Sequence, residues 1–117
     1  MVKISILYPD GSGSTFDMDY YLKTHMPMSI GYLSAHAGFR SVSVERGLAG
    51  QEPGSSPPFR ALCHYVFESV DDFVAAFMPH APILQGDMHN YTNITPVIQI
   101  SEVEIWQTHQ SASAHPR

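Results

Sequence analysis

Apolar and polar positions alternate over residues 2–8, as expected for a strand that buries one face. The Gly- and Ser-rich stretch 9–14 ends this strand. Similar patterns, bounded by turn-forming residues, predict further strands over residues 39–48, 59–68 and 95–106. The chain is therefore predicted to contain four strands.

The segments between these strands have helical patterns. Residues 16–27 are predicted to form a helix that is capped by Thr15 or Asp17 and weakens near Pro27. A second helical piece is expected over residues 28–36.

After the third predicted strand, another helical region is predicted to begin at Ser69. This residue is a favourable N-cap and is followed by two aspartates in the first turn. Pro79 and Pro82 interrupt its apolar stripe, and a further piece is expected over residues 82–91.

The resulting βαββαβ order specifies a ferredoxin-like α+β fold, with a four-stranded antiparallel sheet and the helices on one face. We expect one domain over residues 1–106 and a polar tail over residues 107–117. The sheet face without helices is expected to be apolar, and a homodimer would cover it. The side chains assigned to that face are Leu7, Val42 or Val44, and Ile98 or Val103.

Composition excludes several classes of protein. A chain of 117 residues with a net charge of −5 and only six Lys and Arg residues is unsuited to binding nucleic acid. No apolar run is long enough to span a membrane, and no signal-peptide pattern precedes the first strand. The single cysteine, Cys63, favours a cytoplasmic location.

His25 is the main candidate for chemistry. On a regular helix, Asp17, Tyr21 and His25 would recur at i, i+4 and i+8 along one face. An imidazole exchanges protons near neutral pH, and Tyr21 could donate a hydrogen bond to a developing oxyanion. The alternative is structural, with His25 bonded to a free carbonyl at the helix end.

Asp87 and Asn90 lie three positions apart and next to Tyr91, so they could reach His25 if the two helical regions pack together. Either Asp17 or Asp87 could orient the imidazole. The equally physical alternative is that these polar side chains satisfy backbone groups near the helix end.

No resident metal or other cofactor is expected. The seven histidines form no HxH or HxxxH pair, and the Gly-Ser stretch at residues 11–14 lacks the lysine and spacing of a phosphate-binding loop.

Two motifs stand out in the sequence: Tyr-Tyr-x-x-x-His-x-Pro over residues 20–27 and Asp-x-x-Asn-Tyr-Thr over residues 87–92. Shorter matching elements are Phe16-Asp17, Arg46-Gly47, Phe67-Glu68-Ser69, Pro96 and Gln99-Ile100-Ser101-Glu102-Val103. In this order the set resembles the EthD family of dimeric α+β barrels over residues 2–105.

The resemblance implies the fold and a homodimer, but it does not select a reaction. The family takes its name from a protein encoded with an ether-degrading oxygenase system. Members resemble cyclases, dehydratases or decarboxylases that act on polyketide or aromatic intermediates, and the wider barrels include cofactor-free monooxygenases, lactone isomerases and haem enzymes.

The resulting hypothesis is a cleft for a small hydrophobic, oxygenated molecule, with cofactor-independent lyase, cyclase or isomerase chemistry. The candidate catalytic residues are His25, Tyr21 and Asp87, and the candidate ligand-binding residues are Tyr8, Asp17, Asn90 and Tyr91. The alternative is a non-catalytic carrier that serves a degradative oxygenase.

Overall fold

The computed structural model describes residues 1–109 and contains the four predicted strands. They are β1 (Val2–Pro9), β2 (Phe39–Arg46), β3 (Phe59–Phe67) and β4 (Val97–Glu102). The last three end earlier than the sequence predicts, and β4 also begins later. Residues 103–109 lie outside the strands, and the rest of the predicted tail, residues 110–117, lies outside the described residues.

The strands form one antiparallel sheet in the order β2-β3-β1-β4. The first strand therefore lies between the third and the fourth, which is the strand order that defines the ferredoxin-like fold. The predicted α+β class is confirmed. Among the described residues, no helix has both the length and the apolarity needed to cross a bilayer.

The first helical region is continuous from residue 18 to residue 34. It consists of a short α1 (Met18–Tyr20), one π-helical turn (Tyr21–His25) and α2 (Met26–Ser34). The predicted cap is confirmed for Asp17, whose carboxylate accepts a 3.0 Å hydrogen bond from the Tyr20 amide. The helical region does not end at Pro27: the irregular π-helical turn precedes this residue, and α2 continues through it.

The second helical region is made of short pieces. α3 (Val70–Phe77) begins at the predicted cap, where the Ser69 hydroxyl accepts a 3.1 Å hydrogen bond from the Asp72 amide. A 3₁₀ turn (Met78–His80), α4 (Ala81–Gly86) and a second 3₁₀ turn (Met88–Asn90) follow. The single helix predicted over residues 82–91 is therefore divided, and Asp87 lies between its two parts.

The core lies between the sheet and the helices. Its largest fully buried side chains come from the two central strands and from the first helical region: Tyr21, Tyr65, Phe67, Ile4, Leu33 and Cys63. They belong to one cluster that spans both layers. Their burial supplies the main favourable free energy of folding.

The expected composition of the opposite sheet face is partly wrong. Val42 pairs with Tyr65 and Val44 with Cys63, so both valines point toward the helices and pack on the core. Ile98 also points to that side, because it pairs with Ile6. The strand pattern alone did not specify the register that decides which face each residue takes.

On the face away from the helices, the apolar side chains include a short row across three strands. Leu7 of β1 pairs with Leu62 of β3 and with Val97 of β4, and Val97 is 51% exposed. Val66, which pairs with Lys3, lies on the same face toward its other end and is 2% exposed. The face therefore carries apolar side chains as predicted, but apart from Leu7 they come from different residues.

Candidate functional site

A cavity of about 530 Å³ lies between the helical side of the sheet and the two helical regions. Most of its lining is apolar and comes from both layers and from the segment leading into β4. The apolar lining residues are Ile4, Ile6, Leu33, Phe73, Phe77, Leu84, Met88, Ile94, Pro96 and Ile98. A volume of this size is typical of sites for small organic ligands.

Seven further lining residues of the described chain carry polar atoms, and none of them is Asp, Glu, Lys or Arg. They are Tyr8, His25, Ser29, Tyr65, Gln85, Tyr91 and Thr95. A charged ligand would therefore lose its hydration without gaining a direct ionic partner from these residues, so the cavity suits a largely apolar molecule with a few oxygen atoms.

The two motifs singled out in the sequence are joined by the backbone. Phe16 and Thr92 form an isolated antiparallel bridge, and the Asp17 amide donates a 2.7 Å hydrogen bond to the Tyr91 carbonyl. The Thr92 hydroxyl donates another 2.7 Å hydrogen bond to the Thr15 carbonyl. These bonds hold the start of the first helical region beside the end of the second.

His25 and Asp87 meet next to this junction. The Nδ1 atom of His25 lies 2.9 Å from Oδ2 of Asp87, and His25 is only 7% exposed. An ionised carboxylate only accepts hydrogen bonds, so Nδ1 must carry the proton. In the neutral imidazole, Nε2 is then a free acceptor with a lone pair.

Two other side chains hold Asp87 in place. The Tyr20 hydroxyl donates a 2.6 Å hydrogen bond to Oδ1, and the Asn90 amide nitrogen donates one of 3.0 Å to the same oxygen. Burial acts to raise the pKa of Asp87, but the hydrogen bonds from Tyr20, Asn90 and His25 outweigh it and lower the pKa below 3.8. Asp87 is therefore a carboxylate near neutral pH.

Two tyrosines lie beside this pair in the cavity wall. The hydroxyls of Tyr8 and Tyr91 are 2.8 Å apart and hydrogen-bonded, and each residue is 3% exposed. Burial raises the pKa of both phenols, so they stay protonated and can donate hydrogen bonds. The ring of Tyr91 also contacts the imidazole of His25, with centroids 4.6 Å apart.

Tyr21 occupies a different position from the one the sequence suggests. It is 1% exposed, is absent from the cavity lining, and stacks on His25 with ring centroids 5.7 Å apart. The two residues lie four positions apart on the π-helical turn, in which the Met26 amide bonds to the Tyr21 carbonyl. Tyr21 thus supports the imidazole from behind.

Asp17 and Asn90 also lie outside the cavity lining. Asp17 is exposed and acts as the helix cap, while Asn90 is exposed and bonded to Asp87. Both border a shallower surface depression near Thr15 and Asn93. Of the two carboxylates proposed to orient His25, the structure places Asp87 in contact with it.

Tyr20, Ser29 and Tyr65 contribute hydroxyl groups to the site and were not among the candidate residues. Ser29 could have been recognised, since it lies four positions after His25 and so on the same helical face. The contact of Tyr20 with Asp87 spans 67 positions and had no local signal.

Other reactive groups of the described chain lie outside this arrangement. Burial raises the pKa of Cys63 to about 12, so its thiol stays protonated. Among residues 1–109, no group of three or more His, Cys, Asp or Glu side chains is placed to hold a metal ion.

The fold and the cavity together define a small ferredoxin-like α+β protein with a part-buried histidine–aspartate pair beside a mainly apolar cavity. The sequence profile of the EthD domain matches residues 11–95. The chain belongs to the EthD family. No curated protein matches the chain.

Solved structures agree with this assignment. An EthD-like protein from Ralstonia eutropha JMP134 is 39% identical, with 92% of this chain and 95% of that one covered and a TM-score of 0.84. An EthD family protein from Bacillus halodurans C-125 is 21% identical over 88% of this chain and 98% of that one, with a TM-score of 0.63.

A more distant structure shares the fold. A mutant form of SnoaB from Streptomyces nogalater, a cofactor-independent oxygenase, is 12% identical to this chain. The match covers 92% of this chain and 96% of that one, with a TM-score of 0.54.

The lowered pKa of Asp87 predicts how stability depends on pH. The carboxylate contributes fully to stability above its unfolded pKa of about 3.8, and the contribution is lost as the pH falls through the lower folded value. At neutral pH, Asp87→Asn should lower the free energy of unfolding by about 1.5–3 kcal/mol, as expected for hydrogen bonds to a charged group.

The measurement is urea denaturation of wild type and variant at neutral pH and in steps below pH 3.8. The difference in the free energy of unfolding between wild type and Asp87→Asn should shrink as the pH falls. Asp19→Asn removes one negative charge from a side chain that is 83% exposed, and it serves as the matched control. A difference in the free energy of unfolding that stays constant with pH would contradict the lowered pKa of Asp87.

Proposed function

We propose that this protein binds a small hydrophobic, oxygenated molecule in its cavity and transforms it by acid–base chemistry that needs no cofactor. The observation that carries the proposal is His25, which lines the cavity while its Nδ1 atom is bonded to the Asp87 carboxylate. This arrangement leaves Nε2 as the basic atom of the pair.

The chemistry follows from the groups that line the cavity. Nε2 of His25 removes a proton from a carbon next to a carbonyl. The electron pair of that C–H bond forms a C=C bond to the carbonyl carbon, and the π pair of the carbonyl moves to its oxygen. A hydroxyl of the Tyr8–Tyr91 pair donates a hydrogen bond to the resulting enolate oxygen. The imidazolium then returns the proton to another carbon or to a departing hydroxyl, which gives isomerisation or dehydration.

Asp87 supports both stages of this cycle. Its carboxylate keeps the proton of the neutral imidazole on Nδ1 and stabilises the positive charge that forms when Nε2 is protonated. As hydrogen-bond donors to the enolate oxygen, Tyr8 and Tyr91 take the place of Tyr21, which the sequence suggested but which lies outside the cavity lining.

The surroundings of Asp87 favour catalysis over simple transport. A carrier needs only the apolar cavity, and an ionised carboxylate near that cavity would weaken the binding of apolar ligands. Here three donors from Tyr20, His25 and Asn90 hold the carboxylate in one orientation. Such positioning of a second residue behind a histidine is typical of a proton-transfer site.

His25→Ala should abolish turnover while leaving a ligand cavity, because His25 is the only imidazole that the described residues contribute to the lining. The protein would be incubated in D₂O with a panel of aromatic ketones and linear β-diketones. Mass spectrometry would follow deuterium uptake, loss of water and ring closure. Loss of a general base lowers such rates on the order of 10²–10⁴-fold.

His89→Ala is the matched control, since His89 is exposed on the neighbouring 3₁₀ turn and outside the cavity lining. It should retain the wild-type rate. Equal rates for wild type and His25→Ala would contradict the mechanism. Ligand binding without any reaction in the wild type would instead favour the carrier.

We also propose that the protein is a homodimer. The row formed by Leu7, Leu62 and Val97 has no described helix over it, and Val97 is 51% exposed. A second copy would remove these apolar groups from water, and stable interfaces of this kind bury about 2,000 Å² or more.

Sedimentation equilibrium at micromolar concentration should give twice the chain mass of 13.0 kDa. Leu62→Lys should shift the equilibrium toward the monomer, because Leu62 lies beside Leu7 in the proposed interface and a charge there would lose its hydration on dimerisation. Leu48→Lys, at a site that is 86% exposed, is the matched control and should remain dimeric. A monomeric wild type would contradict the proposal.

A further inference from the structure

A second buried hydroxyl pair lines the cavity, separate from the Tyr8–Tyr91 pair. The hydroxyls of Ser29 and Tyr65 lie 2.5 Å apart, and the residues are 5% and 2% exposed. Proton transfer at His25 makes no use of this pair. If the ligand had oxygen atoms at one end only, apolar side chains at these two positions would bind it equally well.

The two pairs are distinct sites along the cavity. Tyr8 lies four residues beyond Ile4 on β1, and Ile4 is the strand partner of Tyr65. The two tyrosine backbones are thus separated by roughly 13 Å along the sheet. On the opposite wall, Ser29 lies one helical turn beyond His25, which separates their Cβ atoms by about 5–6 Å.

The Ser29–Tyr65 pair still has a hydrogen to offer. Two hydroxyls carry two hydrogens, and the bond between them uses one. Among the described residues, this pair has no other side-chain or backbone partner within hydrogen-bonding geometry. It therefore keeps one donor hydrogen and several lone pairs, and both of its residues line the cavity.

We infer that the Ser29–Tyr65 pair is a second recognition site, which binds an uncharged oxygen at the end of the ligand remote from the reacting carbon. The ligand would be a mainly apolar, rigid skeleton with two oxygen functions at opposite edges, such as a fused-ring diol or hydroxyketone. This inference rests on the proposed function, since it assigns the reacting end to Tyr8, Tyr91 and His25.

The ligand oxygen at this second site is uncharged for a physical reason. Residues 1–109 contribute no Lys or Arg to the cavity lining, and an anion there would lose its hydration without compensation. Burial also raises the pKa of Tyr65, so its phenol remains a donor over the working pH range. A carbonyl or hydroxyl oxygen can use that donor.

The test compares three probes, naphthalene, 2-naphthol and 2,6-naphthalenediol, by isothermal titration calorimetry with the full chain. In the wild type, the diol should bind roughly two- to tenfold more tightly than 2-naphthol, which is the effect of one added hydrogen bond. In the double variant Ser29→Ala/Tyr65→Phe this advantage should vanish, while 2-naphthol should still bind. Removing both partners together leaves no unpaired buried hydroxyl.

Tyr32→Phe is the matched control, because Tyr32 lies on α2 but outside the cavity lining, and it should keep the wild-type preference for the diol. The single variants Ser29→Ala and Tyr65→Phe test the inference if the double variant does not fold, and each should reduce the preference.

Three results would overturn the inference in distinguishable ways. An unchanged preference for the diol in the double and single variants would remove the second site and leave the proposed function intact. Equal affinity of the wild type for 2-naphthol and for the diol would also remove the second site and leave the proposed function intact. Binding of none of the three probes to the wild type would overturn the ligand cavity, and the proposed function with it.

Discussion

The site depends on one interaction, the 2.9 Å hydrogen bond between His25 and Asp87, which joins residues 62 positions apart. A carboxylate that is 14% exposed is stable only if hydrogen bonds replace the water it has lost. Asp87 obtains them from His25, Tyr20 and Asn90, and each donor has to be brought to it by the fold.

Several local features of the chain can be understood from this requirement. The Asp17 cap starts the first helical region at the point where the Asp17 amide bonds to the Tyr91 carbonyl, so the two motifs lie side by side. The π-helical turn then places Tyr21 behind His25. Since this turn passes directly into α2 at Met26, the chain accommodates Pro27 without a break. The imidazole is thereby held between a buried ring and the cavity.

The sequence was sufficient to predict the fold because the strand periodicity, the two caps and the element order all indicated the same βαββαβ arrangement. It also singled out His25 and Asp87, whose side chains the structure brings together. It failed where long-range register decides the outcome. Val42 and Val44 were assigned to the wrong sheet face, because the alternation of a strand does not say which side faces the helices.

The roles of the tyrosines were also beyond the local pattern. Tyr21 was expected to face a ligand, but its ring is stacked against the imidazole of His25 and lies outside the cavity lining. Tyr8 and Tyr91, which belong to the first strand and to the last helical region, form the cavity hydroxyl pair across 83 positions. Such a pair results from tertiary packing and had no spacing signal.

The central claim is that His25 is held in a single tautomer, with its proton on Nδ1 and a free Nε2 atom. Two-bond ¹⁵N–¹H correlation NMR of histidine-labelled protein, recorded above neutral pH and assigned with His25→Ala, reports the tautomer directly. The account predicts the Nδ1–H form for His25. Observation of the Nε2–H form, or of a mixture like that of a free imidazole, would contradict it.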